Sequence, residues 1–295
     1  MGSGMSTLGL PPGAVSRLGG VVGFTYAFQS IFAAYAVPAQ TEKFYDLVGA
    51  LGHMSTIVLS LYYPQFRGFL SGKKVTWPAP TSQNFHPRQL LVSAMVLFWA
   101  GRLGSFLALR IAKQGSDSRF DEIKKQPLVF TGAWLGQATW ITVVTLPAVM
   151  LNIMPRSAHP GLGIRDLIGV GIWASGIGLE IIADREKSAW RKSKDEKKHE
   201  ERFISSGVWS WSRHPNYLGE VILQAGPPVL GLCLPPPARY VGFASPLLSY
   251  LLLRYGSGVP ILEKKAEEKF ANDEKWVQYR KTVGVMFPGL GKGQV

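Results

Sequence analysis

Ser212-Arg213-His214-Pro215-Asn216-Tyr217-Leu218-Gly219-Glu220 stands directly before an apolar stretch that runs on to Leu234. An ionisable group inside a bilayer costs about 2.5 to 3.5 kcal/mol on insertion scales, so charged and polar side chains at the mouth of such a stretch read as functional. Pro215, which has no N–H to lose, predicts a helix start, with Arg213 and His214 flanking its N-terminus. That end offers unpaired backbone N–H groups and a positive dipole, which suit a phosphate or carboxylate. Asn216 and Glu220, four residues apart, share one helix face.

The rest of the chain has the same character. Of its 295 residues 46% are hydrophobic and 17% charged, and the charges fall in blocks between long apolar runs. This composition excludes a pair of soluble domains and predicts an all-α, polytopic membrane helical bundle. Seven spans are expected, centred near Ala27, Ile57, Val96, Ile141, Ile172, Val221 and Leu248. The chain reads as one integral membrane domain over 1–295, with a flexible N-terminus over 1–13 and Arg17 leading into the first span rather than into a cleaved leader. No internal repeat or composition break divides it.

Lys and Arg set the orientation. Arg17, Arg67, Lys73, Lys74, Arg88, Arg156, Arg165 and Arg239 fall on one side, while most of the 32 basic residues gather in the loops and tail of the other. The C-terminus is therefore expected in the cytosol and the N-terminus outside. The net charge of +13 belongs mainly to the cytosolic face, where anionic lipid headgroups or an anionic cofactor meet it. Nucleic acid is a poor partner for this pI, because no soluble basic domain exists to bind it. The tail over 261–281, alternating Glu and Lys around Phe270, Trp276 and Tyr279, predicts a short cytosolic amphipathic helix.

The fifth predicted span carries the second concentration of polar chemistry. At about 100° per residue, Glu180, Asp184, Lys187 and Arg191 fall within a stripe roughly 60° wide, acid to base from the membrane outward. Lys187 and Arg191 fit ordinary salt-bridge pairs as well as a ligand, whereas Glu180 and Asp184 at the membrane boundary call for a partner or a wet cavity. In the third span Arg102 is an ion-pair partner or a phosphate ligand, and Arg110, Asp117 and Arg119 follow it. His86, His159 and His199 have no ligand spacing and the single Cys233 founds no metal site, so no metal is expected. His53 lies within the apolar second span. The glycines Gly169, Gly171, Gly176 and Gly178 read as helix-packing positions rather than a cofactor loop, and no GxGxxG or P-loop is present.

Trp173…Gly178-Leu179-Glu180…Ala183-Asp184…Lys187, Gly207-Val208-Trp209, the 212–220 run, Ser257-Gly258-Val259-Pro260…Leu262-Glu263 and Tyr279…Pro288 together resemble the DUF1295 branch of the steroid 5α-reductase-like membrane reductases. Arg102-Leu103-Gly104…Leu107…Arg110…Asp117-Ser118-Arg119-Phe120 is similar to the same branch, so the likeness covers roughly Arg102 to Pro288, within a reductase-like core of about 88–290. The resemblance implies a seven-helix enzyme of the endoplasmic reticulum, or of a bacterial inner membrane, that binds NADPH at its cytosolic side and reduces a carbon–carbon double bond, often conjugated to a ketone, in a steroid or other lipid. It implies that Glu180, Asp184 and Arg191 hold cofactor, as do Asn216, Gly219, Glu220 and Tyr279. With Arg102, Arg110, Arg119, Lys187, Arg213, His214 and Tyr217 these form the expected cofactor set. The family polarises its substrate ketone with a Tyr on the third helix and a Glu on the second; this chain has neither, and His53, Tyr62 and Tyr63 stand as the proton donors.

The second reading is an S-adenosylmethionine-dependent methyltransferase similar to isoprenylcysteine carboxyl methyltransferase, which shares Arg-His-Pro-x-Tyr-x-Gly and an acidic, Tyr-ending tail. Asn216, Glu220 and the Glu180/Asp184 pair favour the reductase. A non-catalytic membrane scaffold or lipid-binding protein is the third, motivated by the missing Tyr and Glu.

Overall fold

The computed structural model describes residues 6–114 and 117–293 and is 71% helical, without a strand among the described residues. Helices occupy all seven predicted centres: α1 (Ala14–Ala36), α2 (Tyr45–Leu61), α4 (Pro87–Gln114), α5 (Pro127–Asn152), α6 (Ile164–Asp195), α7 (Pro215–Leu230) and α9 (Ala244–Leu251). Four of them, α1, α4, α5 and α6, are long and apolar enough to cross a membrane. α2 has 17 residues and α7 has 16, with Pro227 and Pro228 inside it, so neither reaches the roughly 20 that a span needs. Short helices fill the connections: α3 (Tyr63–Leu70) after α2, and α8 (Ala238–Val241) after Pro235, Pro236 and Pro237. The tail, expected as one helix, is broken into α10 (Val259–Phe270) and α11 (Glu274–Thr282), because Asp273 is extended and its side chain accepts the Lys275 N–H as an N-cap.

The chain divides into two compact units, 1–167 with 227–245, and 168–226 with 246–295. In the first, α1, α2, α4 and α5 pack around Ile57, Trp99, Trp134 and Ile141, which are all but fully buried. Small residues on α2 permit the close approach: a Cβ on Gly49 would meet the Gln137 amide, and one on Gly52 would meet Gln29 and Ile141. Polar side chains then bridge the helices. Thr25 and Thr56 hydroxyls lie 2.9 Å apart, and the Asn152 amide donates to both Ser60 and Ser93 at 2.9 Å. From Ser6 to Leu10 the chain forms a closed turn in which Leu10 is fully buried.

Arg88, read from sequence only as an outside charge, is fully buried. Its Nε and Nη2 donate to the two Asp166 oxygens at 2.6 and 2.8 Å, and its other N–H groups reach the Pro160 and Gly161 carbonyls at 3.0 Å each. The fork thereby ties the start of α4 to the start of α6. Removing one partner of a buried pair strands the other charge, which costs about 3 to 5 kcal/mol, whereas replacing both with apolar groups is often neutral. Arg88→Met should therefore lower the thermal midpoint of the detergent-solubilised protein sharply, and Arg88→Met with Asp166→Leu should recover most of the loss; equal midpoints for the single and double variants would contradict this account of the pair.

In the second unit, α6 and α7 cross antiparallel along a glycine seam. Gly176 faces the Gly219 carbonyl and the Leu223 N–H, and Gly226 faces the Gly169 carbonyl and Trp173; a Cβ at Gly219 would sit 2.7 Å from the Gly176 carbonyl, and one at Gly226 would sit 2.6 Å from the Gly169 carbonyl. Gly169 and Gly176, like Gly219 and Gly226, are seven residues apart, which is two turns and hence one face. Gly171 and Gly178 open onto space instead. A β-bridge between Ser212 and Gly284 returns the tail to the start of α7, where Arg213 and His214 donate their backbone N–H groups to the Gly284 and Val285 carbonyls at 2.9 and 3.1 Å. Exchanging Gly219 for Ala should push α7 off α6 at the Gly176 carbonyl and lower the thermal midpoint markedly, while Gly178→Ala, facing open space, should leave it nearly unchanged or raise it; the opposite ranking would refute the seam.

Candidate functional site

The polar groups of the second unit converge where α6 leaves its apolar run and α7 begins. Pro215 does open α7. Next to it, one carboxylate organises the motif: Glu263, on α10, accepts His214 Nε2–H at 2.7 Å on one oxygen and faces the Arg213 guanidinium at 3.0 Å with the other, all three side chains being buried. Arg213 also donates to the Arg280 carbonyl at 3.3 Å, and His214 stacks on Tyr217 with ring centroids 5.5 Å apart. Arg213 and His214, expected to face a phosphate, are thus committed to the tail and position the start of α7.

Glu263 is the residue that the sequence reading quoted without a role. A signal was available: Val259, Glu263, Ala266 and Phe270 follow one another at helical spacing, and all face inward. A carboxylate on the apolar stripe of an otherwise Lys- and Glu-rich helix requires a buried cation, and Arg213 supplies it.

On α6, Glu180 is buried and its backbone lies against Gly219, where a Cβ would be 2.9 Å from the Glu180 nitrogen. Asp184 and Lys187 follow on the same face, half-buried, and Arg191 is exposed beyond them. The Lys187 ammonium sits 4.5 Å over the Trp209 ring, and Asp184, Arg191 and His214 all lie within its electrostatic reach. Trp209 is itself fixed at both ends, its indole N–H donating to the Ala183 carbonyl at 3.2 Å and its own carbonyl accepting the Tyr279 hydroxyl at 2.5 Å. Burial raises the Tyr279 phenol, so it remains a donor there. Gly207, at φ +58°, opens this turn; a side chain there would strike the Glu186 carboxylate, which accepts the Val208 N–H at 3.0 Å. On α7, Asn216 and Glu220 are half-buried and Glu220 accepts the Gln224 amide at 2.9 Å.

Of the expected cofactor set, then, Glu180, Asp184, Lys187, Arg191, Arg213, His214, Asn216, Tyr217, Gly219, Glu220 and Tyr279 belong to this one unit. The remainder belong to the first unit. Arg102 is half-buried on α4, the Arg110 side chain lies outside the described residues, and Arg119 is paired with Asp117 at 2.6 Å and Asp46 at 3.6 Å. Tyr62 donates to the Pro78 carbonyl at 3.0 Å and so pins the loop between α3 and α4. Tyr63 lies against α1 in the space left by Gly20. His53 is buried edge-on between Trp99 and Trp140, and its Nδ1 lies 2.8 Å from the Gly49 carbonyl. That bond places the ring proton on Nδ1 and leaves Nε2 an acceptor in the neutral ring, the reverse of the donor role expected of it.

Four helices able to cross a membrane, joined to a charged cluster at the end of one of them, give the composition of an integral membrane protein. The chain belongs to the DUF1295 family: residues 38–283 match the family described as "Protein of unknown function (DUF1295)". No curated protein and no solved structure matches the chain significantly.

The His214 environment has a pH consequence. Burial holds its imidazole below the usual range, with Glu263 opposing. The folded state therefore binds fewer protons than the unfolded chain in weak acid, and this stability is present above the unfolded value of about 6.5 and is lost as pH falls below it. His159, lowered to about 4, acts with the same sign. The thermal midpoint should fall between about pH 6.5 and pH 5, and His214→Gln should flatten part of that slope; an unchanged slope would remove His214 from the account.

Proposed function

We propose that this protein is an NADPH-dependent membrane reductase that saturates a carbon–carbon double bond conjugated to a carbonyl in a steroid or other lipid. The observation that supports this most is the α6–α7 seam, in which Glu180 packs against Gly219, so that the polar residues of α6 and those at the start of α7 belong to one unit. The chemistry of this set fits a pyridine dinucleotide. Glu180, Asp184 and Asn216 offer acceptors for ribose hydroxyl and amide N–H groups, and Lys187 and Arg191 offer cations for phosphates. When bound, the nicotinamide would supply a hydride.

The chain's own part is binding and positioning. Glu263 fixes Arg213 and His214, and through them the start of α7, while Tyr279 and Ala183 fix Trp209 beneath the Lys187 ammonium. A preorganised polar cluster of this kind orients a ligand without moving when it binds. Lipid substrates would reach such a protein sideways from the bilayer, whereas a nucleotide would come from water.

The test is thermal stabilisation of the purified protein in detergent by NADPH, NADH and S-adenosylmethionine. A ligand at about 100 times its Kd adds about 2.7 kcal/mol. NADPH should stabilise most, NADH less for want of the 2′-phosphate, and Asp184→Asn should weaken NADPH about ten-fold, the worth of one charge-assisted hydrogen bond, and Asn216→Ala about five-fold, the worth of a neutral one. Stabilisation by S-adenosylmethionine and not by NADPH would replace the reductase with a methyltransferase.

A further inference from the structure

At one end of the first unit, the start of α1, the end of α2, the start of α4 and the end of α5 surround a cleft of ≈ 180 Å³. Two arginines line it, Arg17 and Arg156, and no acidic side chain does. Arg17 donates one N–H to the Ile153 carbonyl at 3.0 Å, and Arg156 donates one to the Gln83 carbonyl. These bonds aim the guanidinium groups without neutralising them, and neither takes part in an ion pair among the described residues. A third polar group in the wall is under-used: the Gln65 side-chain oxygen is buried and accepts no hydrogen bond from a described residue. Two uncompensated cations and an acceptor fit an oxyanion that also presents a hydroxyl, as a monoprotonated phosphate does.

The surroundings indicate what the oxyanion is attached to. Phe85, Ile153 and Met154 make the cleft half apolar. α3, which supplies Tyr63 and Gln65 to the wall, ends in the exposed Phe69 and Leu70, side chains suited to the edge of a bilayer. α1 begins at the cleft and is long and apolar enough to cross a membrane, yet only 22% of its apolar window is buried in the protein, which leaves a face for an acyl chain. We propose that this cleft binds the anionic headgroup of a phosphate-bearing amphiphile, with its chain lying along α1. The site is built from the first unit alone and is independent of the reductase reading.

Full-length protein in maltoside micelles distinguishes the sources of such a headgroup. Dodecyl phosphate should raise the thermal midpoint in a saturable way, while dodecanol and inorganic phosphate at the same concentration should not. The double variant Arg17→Gln, Arg156→Gln should bind dodecyl phosphate at least about ten-fold more weakly. Because Arg17 supports the carbonyl of the buried Ile153, whereas Arg156 is exposed, Arg156→Gln alone serves as the milder variant, its thermal midpoint without ligand checking that it is folded, and it should weaken binding in the same direction. Equal stabilisation by dodecanol would show unspecific insertion, equal stabilisation by inorganic phosphate would show a free-anion site, and unaltered binding by both variants would show that the arginines are not the ligands; each result overturns the proposal.

Discussion

A single buried carboxylate sets how the tail of the second unit docks on the start of α7. Glu263 lies between Arg213 and His214 with all three side chains out of water, a costly arrangement unless each charge meets its partner with good geometry. Because Arg213 and His214 immediately precede Pro215, the bond fixes where α7 starts and in which direction its first turn faces. Because Glu263 is on α10, it also fixes the tail, whose Gly284 and Val285 carbonyls then close on the same two backbone N–H groups. Specificity of docking, rather than net stability, is what such a pair is suited to supply.

The glycine seam is the second constraint, and it acts on the other side of α7. With Gly219 against Gly176 and Glu180, the helices approach closely enough for the polar residues of α6 to share a neighbourhood with those of α7. Phe270, Trp276, Tyr279 and Val283, with Phe203, make a small apolar cluster that anchors the tail, and Tyr279 reaches from it to Trp209. Helix packing, the buried Glu263–Arg213–His214 cluster and an aromatic cluster thus converge on the ground around Lys187. That convergence, not any one residue, makes this the ground on which a cofactor is proposed to lie.

Much of this was legible in the sequence, for reasons that differ by element. The start of α7 was readable because proline without an N–H belongs at a first helical position, and helices are found at all seven apolar centres because apolar runs declare themselves. The four long helices qualify as spans, while α2 and α7 are too short by the same measure of length. Gly176 was rightly read as a packing position, but Gly171 and Gly178 were not separable from it without knowing which face of α6 meets α7. The break between α10 and α11 was missed because charge alternation continues across it, although Asp273 carries the N-cap chemistry that announces a new start. Arg88 and Arg213 were read as accessible charges because a sequence does not show which carboxylate, dozens of residues away, will neutralise them.

Hydrogen–deuterium exchange of the whole protein, with and without saturating NADPH, tests the central claim most directly, since it reports where a ligand sits rather than whether one binds. The account predicts slower exchange confined to two segments of the second unit, the α6 stretch around 180–191 and the α7 stretch around 213–220, with the Asp184→Asn variant needing about ten-fold more NADPH for the same effect in both. Unchanged exchange in these segments under saturating NADPH, or protection appearing elsewhere, would contradict it.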